Sequence, residues 1–159
     1  PLDITLMKNF ALQLEHHPGE PLWEVMRMIG TDLVEFVSHL RSRLDQVAEH
    51  TEVWELEAGG TNFKALFLPY SESLPEDATG VLGYQVKALG MEEEILALVY
   101  PDSRGEGYGM RRFNDDLRLD FSLLAEEDDV HFAHARGFIA KTSGTEVDRL
   151  KSLLVRAFQ

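Results

Sequence analysis

A chain of 159 residues with 44% hydrophobic side chains can bury the core of one domain and is too apolar to be disordered. Its 28 acidic against 15 basic residues, a net charge of -13, exclude tight non-specific binding to long nucleic acid, because that affinity comes from Lys and Arg neutralising phosphates. The absence of cysteine excludes disulfides, thiol nucleophiles, zinc ribbons and iron-sulfur clusters.

In chain order, apolar positions 4, 6, 7, 10, 11 and 14 follow one helical face, with Asp3 as N-cap, until His16-His17-Pro18-Gly19 breaks the pattern. A second helix is predicted from Pro21, turning Leu22, Val25, Met26 and Ile29 inward and ending at Gly30. A third, capped by Thr31 or Asp32 and running to about 49, repeats Leu33, Phe36, Val37, Leu40, Leu44 and Val47 at helical spacing. It reads as a linker or bracing helix.

From Thr51 the period changes to that of a β-hairpin: Val53, Trp54 and Leu56, a glycine turn at Gly59-Gly60, then Phe63 to Leu68. Leu74-Pro75-Glu76-Asp77 opens a helix expected to reach Leu89, with Gly90 as its stop. The apolar run from Ile95 to Tyr100 is that of a strand buried on both faces, and Tyr108 to Phe113 pairs back on it through the Ser103-Arg104-Gly105-Glu106-Gly107 turn. Leu117 to Leu124 is an extended or turn segment before the acidic run Glu126 to Asp129. Val130 to His134 and Gly137 to Ala140 are expected strands. Ser143-Gly144-Thr145-Glu146 has the form of a capping box for a last helix whose inner face is Val147, Leu150, Leu154 and Phe158. The fold class is thus α/β, a mixed β-sheet with flanking helices, divided as a helical segment over 1–50 and an α/β domain over 51–159.

Charge is uneven along this order. Residues 1–103 hold 18 acidic and 6 basic side chains, residues 104–159 hold 10 and 9, so an anion-binding surface is expected in the last third. Arg111 and Arg112 alternate on a strand, so one faces each side of the sheet, and one of them is expected near the end of the terminal helix. With Arg136, Lys141, Thr142 and the first amides of that helix they form a candidate anion site; surface salt bridges to the many acids are the competing reading. His131 and His134 lack a carboxylate partner at ligand spacing and sit in a strand pattern that points them apart, so no metal site is assigned. An ordinary hydrogen-bonded histidine or a phosphate or nucleobase contact is left. Gly105-Glu106-Gly107-Tyr108-Gly109 lacks the following helix of a phosphate-binding loop and reads as a hairpin turn, and the runs Glu92 to Glu94 and Glu126 to Asp129 read as solvated ends.

Taken together, VWELEAGGTNFKALFLP, ATGVLGYQVKALG, EEILALVYPDSRGEGYGMRRF and LRLDFSLLAEEDDVHFAHARGFIAKTSG follow the long helix in an order that resembles the C-terminal half of the DHH phosphoesterase superfamily, which includes RecJ nucleases, oligoribonucleases and exopolyphosphatase-like proteins. Arg111 and Arg112 fall where that family has its Ser-Leu-Arg strand, and His134 to Phe138 fall near its GGGHxxAAGF motif. The HARGF form, without the triple glycine, is closer to the HAxGFI of the melanocyte-proliferating-gene exonuclease branch. No Asp-His-His triplet is present. The resemblance therefore implies a DHH-associated, substrate-binding domain whose catalytic half, with its manganese or magnesium ions, is a separate N-terminal domain. It implies no catalytic residue in this chain and a substrate grip made of Arg111, Arg112, His134, Arg136, Gly137 and Lys141. The substrate expected is a short oligonucleotide, a small nucleotide or polyphosphate, the acidic surface favouring short ones. The alternative is a non-catalytic regulatory or dimerisation module, a homodimer whose basic residues are structural. The chain starts at Pro1 with no initiator methionine, which suggests a processed or excised piece. With no run near 18 apolar residues and no signal-peptide pattern at the N-terminus, a soluble, cytoplasmic protein is expected.

Overall fold

A computed structural model describes residues 22–134 and 139–159. The first predicted helix, before His16, lies outside them, as do Arg136 and Gly137.

Helix α1 spans Leu22–Ala48 without interruption. The expected stop at Gly30 and restart at Thr31 or Asp32 are corrected by this continuity. Glycine in a helix interior costs only about 1 kcal/mol relative to alanine, and Gly30 does not take the left-handed conformation common at helix C-termini. The chain divides into two compact units at the Ser42–Arg43 step. In the second unit the last turns of α1 bury Val47 completely, and Arg43 Nε lies 3.0 Å from Asp77.

Among the described residues six strands form one mixed sheet of order β1-β2-β3-β4-β6-β5: β1 (Glu52–Ala58), β2 (Thr61–Phe67), β3 (Ile95–Pro101), β4 (Tyr108–Arg112), β5 (Val130–Ala133) and β6 (Ala140–Thr142). Of these pairs β2–β3 is parallel and the other four are antiparallel. The β1–β2 hairpin turns at Gly59 and Gly60, both with positive φ (57° and 82°), which is why a two-residue loop there needs glycine. The predicted helix from Leu74 to Leu89 is shorter and mixed: a 3-10 turn over Ala78–Val81 leads into helix α2, Leu82–Ala88. Asp77 makes no side-chain cap, so the helix starts late. It ends as expected at Gly90 (φ 65°), whose N–H donates to the Lys87 carbonyl while that of Met91 donates to the Val86 carbonyl.

One face of the sheet carries the main core, in which Trp54, Phe63, Phe67, Val99, Met110 and Ala140 meet Leu119, Phe121 and the terminal helix α3 (Val147–Ala157) through Leu150, Leu153 and Leu154. Val147, predicted to face inward, is 38% exposed. On the opposite face α2 packs on β3, and Leu66, Leu98, Leu82 and Val86 are buried. The capping box is not formed. Ser143 is committed elsewhere, its N–H donating to the Asp129 carbonyl at 2.9 Å, so α3 begins after Glu146, which makes no side-chain cap. Of the last predicted strand, Gly137 and Phe138 lie outside the described residues; the described part runs over Ala140–Thr142, where Met110 and Gly109 pair with Ala140 and Lys141. Among the described residues no helix is long and apolar enough to cross a membrane.

Candidate functional site

Alternation along β4 decides what its two arginines do. Met110 is fully buried in the main core, so Arg112, two residues on, faces the same side and Arg111 the other. Arg112 lies on the α3 side close enough to Asp116 and Asp120 that its charge lowers the pKa of both, after the larger effects of Arg118 hydrogen bonding to Asp116 and Ser122 hydrogen bonding to Asp120. This is the end of the terminal helix: Asp120 N–H donates to the Ala157 carbonyl, Gln159 Nε2 donates to Asp120, and Leu119 bridges Phe158.

Arg111 enters a different neighbourhood. Gly109 is opposite Tyr100 on β3 and opposite Lys141 on β6, and Lys141 is opposite Phe132 on β5. Directly opposed antiparallel residues project to the same face, with Cβ atoms about 5 Å apart and diagonal neighbours about 7–8 Å apart. Tyr100, Arg111, Lys141 and Phe132 therefore share the face that α2 covers only over the central strands. Toward β6 and β5 that face is open: Lys141 and His134 are exposed and Phe132 is 47% exposed. The His134 ring meets that of Phe132 edge-on at 4.5 Å between centroids. A bulge between Val130 and Phe132 lets Val130 and Ala133 both pack toward the main core while Phe132 points away. His131 occupies the bulge, exposed and one strand step from Phe132.

The predicted site residues are thus partly assembled and partly divided. Arg111, Lys141 and His134 come together on one open face, Arg112 stands on the other, and Arg136 and Gly137 lie outside the described residues. Tyr100 and Phe132 join the site without having been singled out in the sequence, and Gly109, read there as part of a hairpin turn, joins it from within β4. The signal that finds them is strand register, which needs the partner strand and not only the period. The Arg111 guanidinium carbon lies 5.9 Å from the centre of the Tyr100 ring, and burial of that ring raises the phenol pKa above its ordinary 10.0, with Arg111 opposing the shift.

In the other charged clusters the basic side chains are paired with acids. A groove of about 560 Å³ at the foot of β1 to β3 is lined by Glu55, Glu57, Glu93, Glu94, Lys64 and Arg118, but Lys64 pairs with Glu94 at 2.6 Å and Arg118 with Asp116 at 2.6 Å. The acidic loop is tied to α3: Arg149 holds Glu127 and Asp129, each at 2.7 Å, and Arg156 also pairs with Glu127. Arg149 lowers the pKa of Asp129 chiefly through these hydrogen bonds. Among the described residues no three His, Asp or Glu side chains are grouped so as to hold a metal ion.

Comparison of the chain with protein-family models, curated proteins and solved structures returned no match.

Proposed function

We propose that this chain is the substrate-binding, DHH-associated part of a metal-dependent phosphoesterase, holding a phosphate-bearing substrate while a catalytic domain hydrolyses the ester. The observation that carries this reading is the open face on which Arg111 and Lys141 stand about one diagonal apart beside exposed His134. Two cations with long stems, projecting from rigid strands, can each donate to a different oxygen of one phosphate group, and arginine can do so in bidentate form. The same site would serve a small nucleotide, a short oligonucleotide or polyphosphate. Over much of the rest of the chain acids outnumber bases, which disfavours long strands. Metal-assisted attack on phosphorus, by manganese or magnesium, belongs in this reading to a half carrying the Asp-His-His triplet, which this sequence does not contain. Calorimetric titration of the purified chain with adenosine 5′-monophosphate tests it. Saturable binding that Arg111→Ala and Lys141→Ala each weaken at least tenfold supports the grip, and absence of binding overturns it.

A dimerisation module remains the second reading, favoured by the exposed apolar side chains Val34, Phe36 and Val37 of α1. Light scattering that shows a dimer, together with a flat nucleotide titration, would select it.

A further inference from the structure

The Tyr100 ring lies on bare backbone. A Cβ atom added to Gly109 would fall 2.5 Å from Tyr100 Cε2 and 2.8 Å from Cζ, so any other residue at 109 would lift the ring off the sheet. What the glycine serves here is this close approach and not its φ, which is not positive. The ring pressed into this gap is the same one whose centre lies 5.9 Å from the Arg111 guanidinium carbon, within the range at which an aromatic face attracts a cation. Arg111 and Gly109 are two residues apart on β4 and project to one face. Three positions on two strands therefore form one device: a gap, a ring that fills it and a cation beside the ring.

Resting on the reading of this face as a phosphate grip, we infer that Tyr100 is a positioning residue for Arg111 and that Gly109 is the gap that admits it. A free arginine side chain gives up considerable rotamer freedom when it clasps an anion. Held against the Tyr100 ring, Arg111 surrenders part of that freedom before the ligand arrives, and its guanidinium is kept over the face it shares with Lys141. The ring is the working part; the phenol oxygen is not needed for this role.

The test is a titration of the chain and its variants with adenosine 5′-monophosphate, with thermal unfolding followed in parallel. Tyr100→Leu is expected to weaken binding about 2- to 5-fold, the size of a cation-π contact at a partly exposed site. Tyr100→Phe is expected to bind as the parent does, and Gly109→Ala to weaken binding as Tyr100→Leu does. In an Arg111→Ala background Tyr100→Leu should cause no further loss, which a merely structural role would not produce. If the parent binds and Tyr100→Leu binds equally well, or if its effect persists undiminished in the Arg111→Ala background, the positioning role is overturned while the phosphate grip stands. If the parent itself does not bind, both fall. Should Gly109→Ala fail to fold, the two Tyr100 variants and the double-mutant cycle decide the matter alone.

Discussion

Arg111 and Arg112 are neighbours in the chain and lie on opposite faces of the sheet. The first stands beside Tyr100 over an open surface, and the second is turned toward Asp116 and Asp120 at the end of the terminal helix. Their mutants should accordingly separate. Arg111→Ala is expected to lose phosphate binding with little change in unfolding midpoint. Arg112→Ala is expected to destabilise the fold by about 1 kcal/mol, through lost packing of its stem as well as lost charge. Urea denaturation and the nucleotide titration, run on both variants, check the split; equal effects in both assays would refute it.

The acidic loop and α3 are joined by the Arg149 pairs to Glu127 and Asp129. Because the folded-state pKa of Asp129 lies below its ordinary 3.8, the unfolded chain binds that proton more readily, and the contribution is present above about pH 4 and lost as pH falls through the lower folded value. The unfolding temperature should therefore drop on acidification below about pH 4, and Arg149→Met should show a shallower drop from a lower starting point. Differential scanning calorimetry from pH 6 to pH 3 reads both, and parallel curves for parent and variant would count against the loop as an acid-sensitive tie.

Gly107 admits the backbone of β6. A Cβ there would lie 1.9 Å from the Thr142 carbonyl oxygen, and the same threonine hydroxyl accepts from the Tyr108 N–H and donates to the Gly144 carbonyl. Gly107→Ala must push β4 and β6 apart, which is expected to cost about 1–3 kcal/mol. Chemical denaturation measures it, with the neighbouring Glu106→Ala as an exposed-site control.

At Gly30 the expectation runs the other way. The residue lies inside a continuous helix and nothing is within 4 Å of a Cβ placed there, so Gly30→Ala should strengthen α1 by about 0.5–1 kcal/mol. Far-ultraviolet circular dichroism should show equal or greater helicity that persists to higher temperature. A loss of helicity would mean that the helix does break at this glycine.

Elements whose residues report their own environment were legible in the chain. The β1–β2 hairpin follows from the change of period and two adjacent glycines, β3 from an unbroken apolar run, and the end of α2 from Gly90, because each depends on residues next to one another. The signals that misled were local ones outcompeted by distant partners. Ser143 had the spacing of a helix cap but is bound to Asp129, fourteen residues away. For the candidate site, strand alternation foretold that the two arginines diverge, yet not which one stands on the face of Tyr100 and Lys141.

By itself, then, the amino-acid sequence determined that an α/β domain with a mixed sheet would form, that its last third would hold most of the basic side chains, and that helical and extended segments would fall nearly where they do. These follow from periodicity and composition, which are properties of short windows. Tertiary structure alone decided that Tyr100, Gly109, Lys141 and Phe132 form one row and that Arg111, not Arg112, joins it, because strand order and register are set by pairings between residues up to several tens of positions apart.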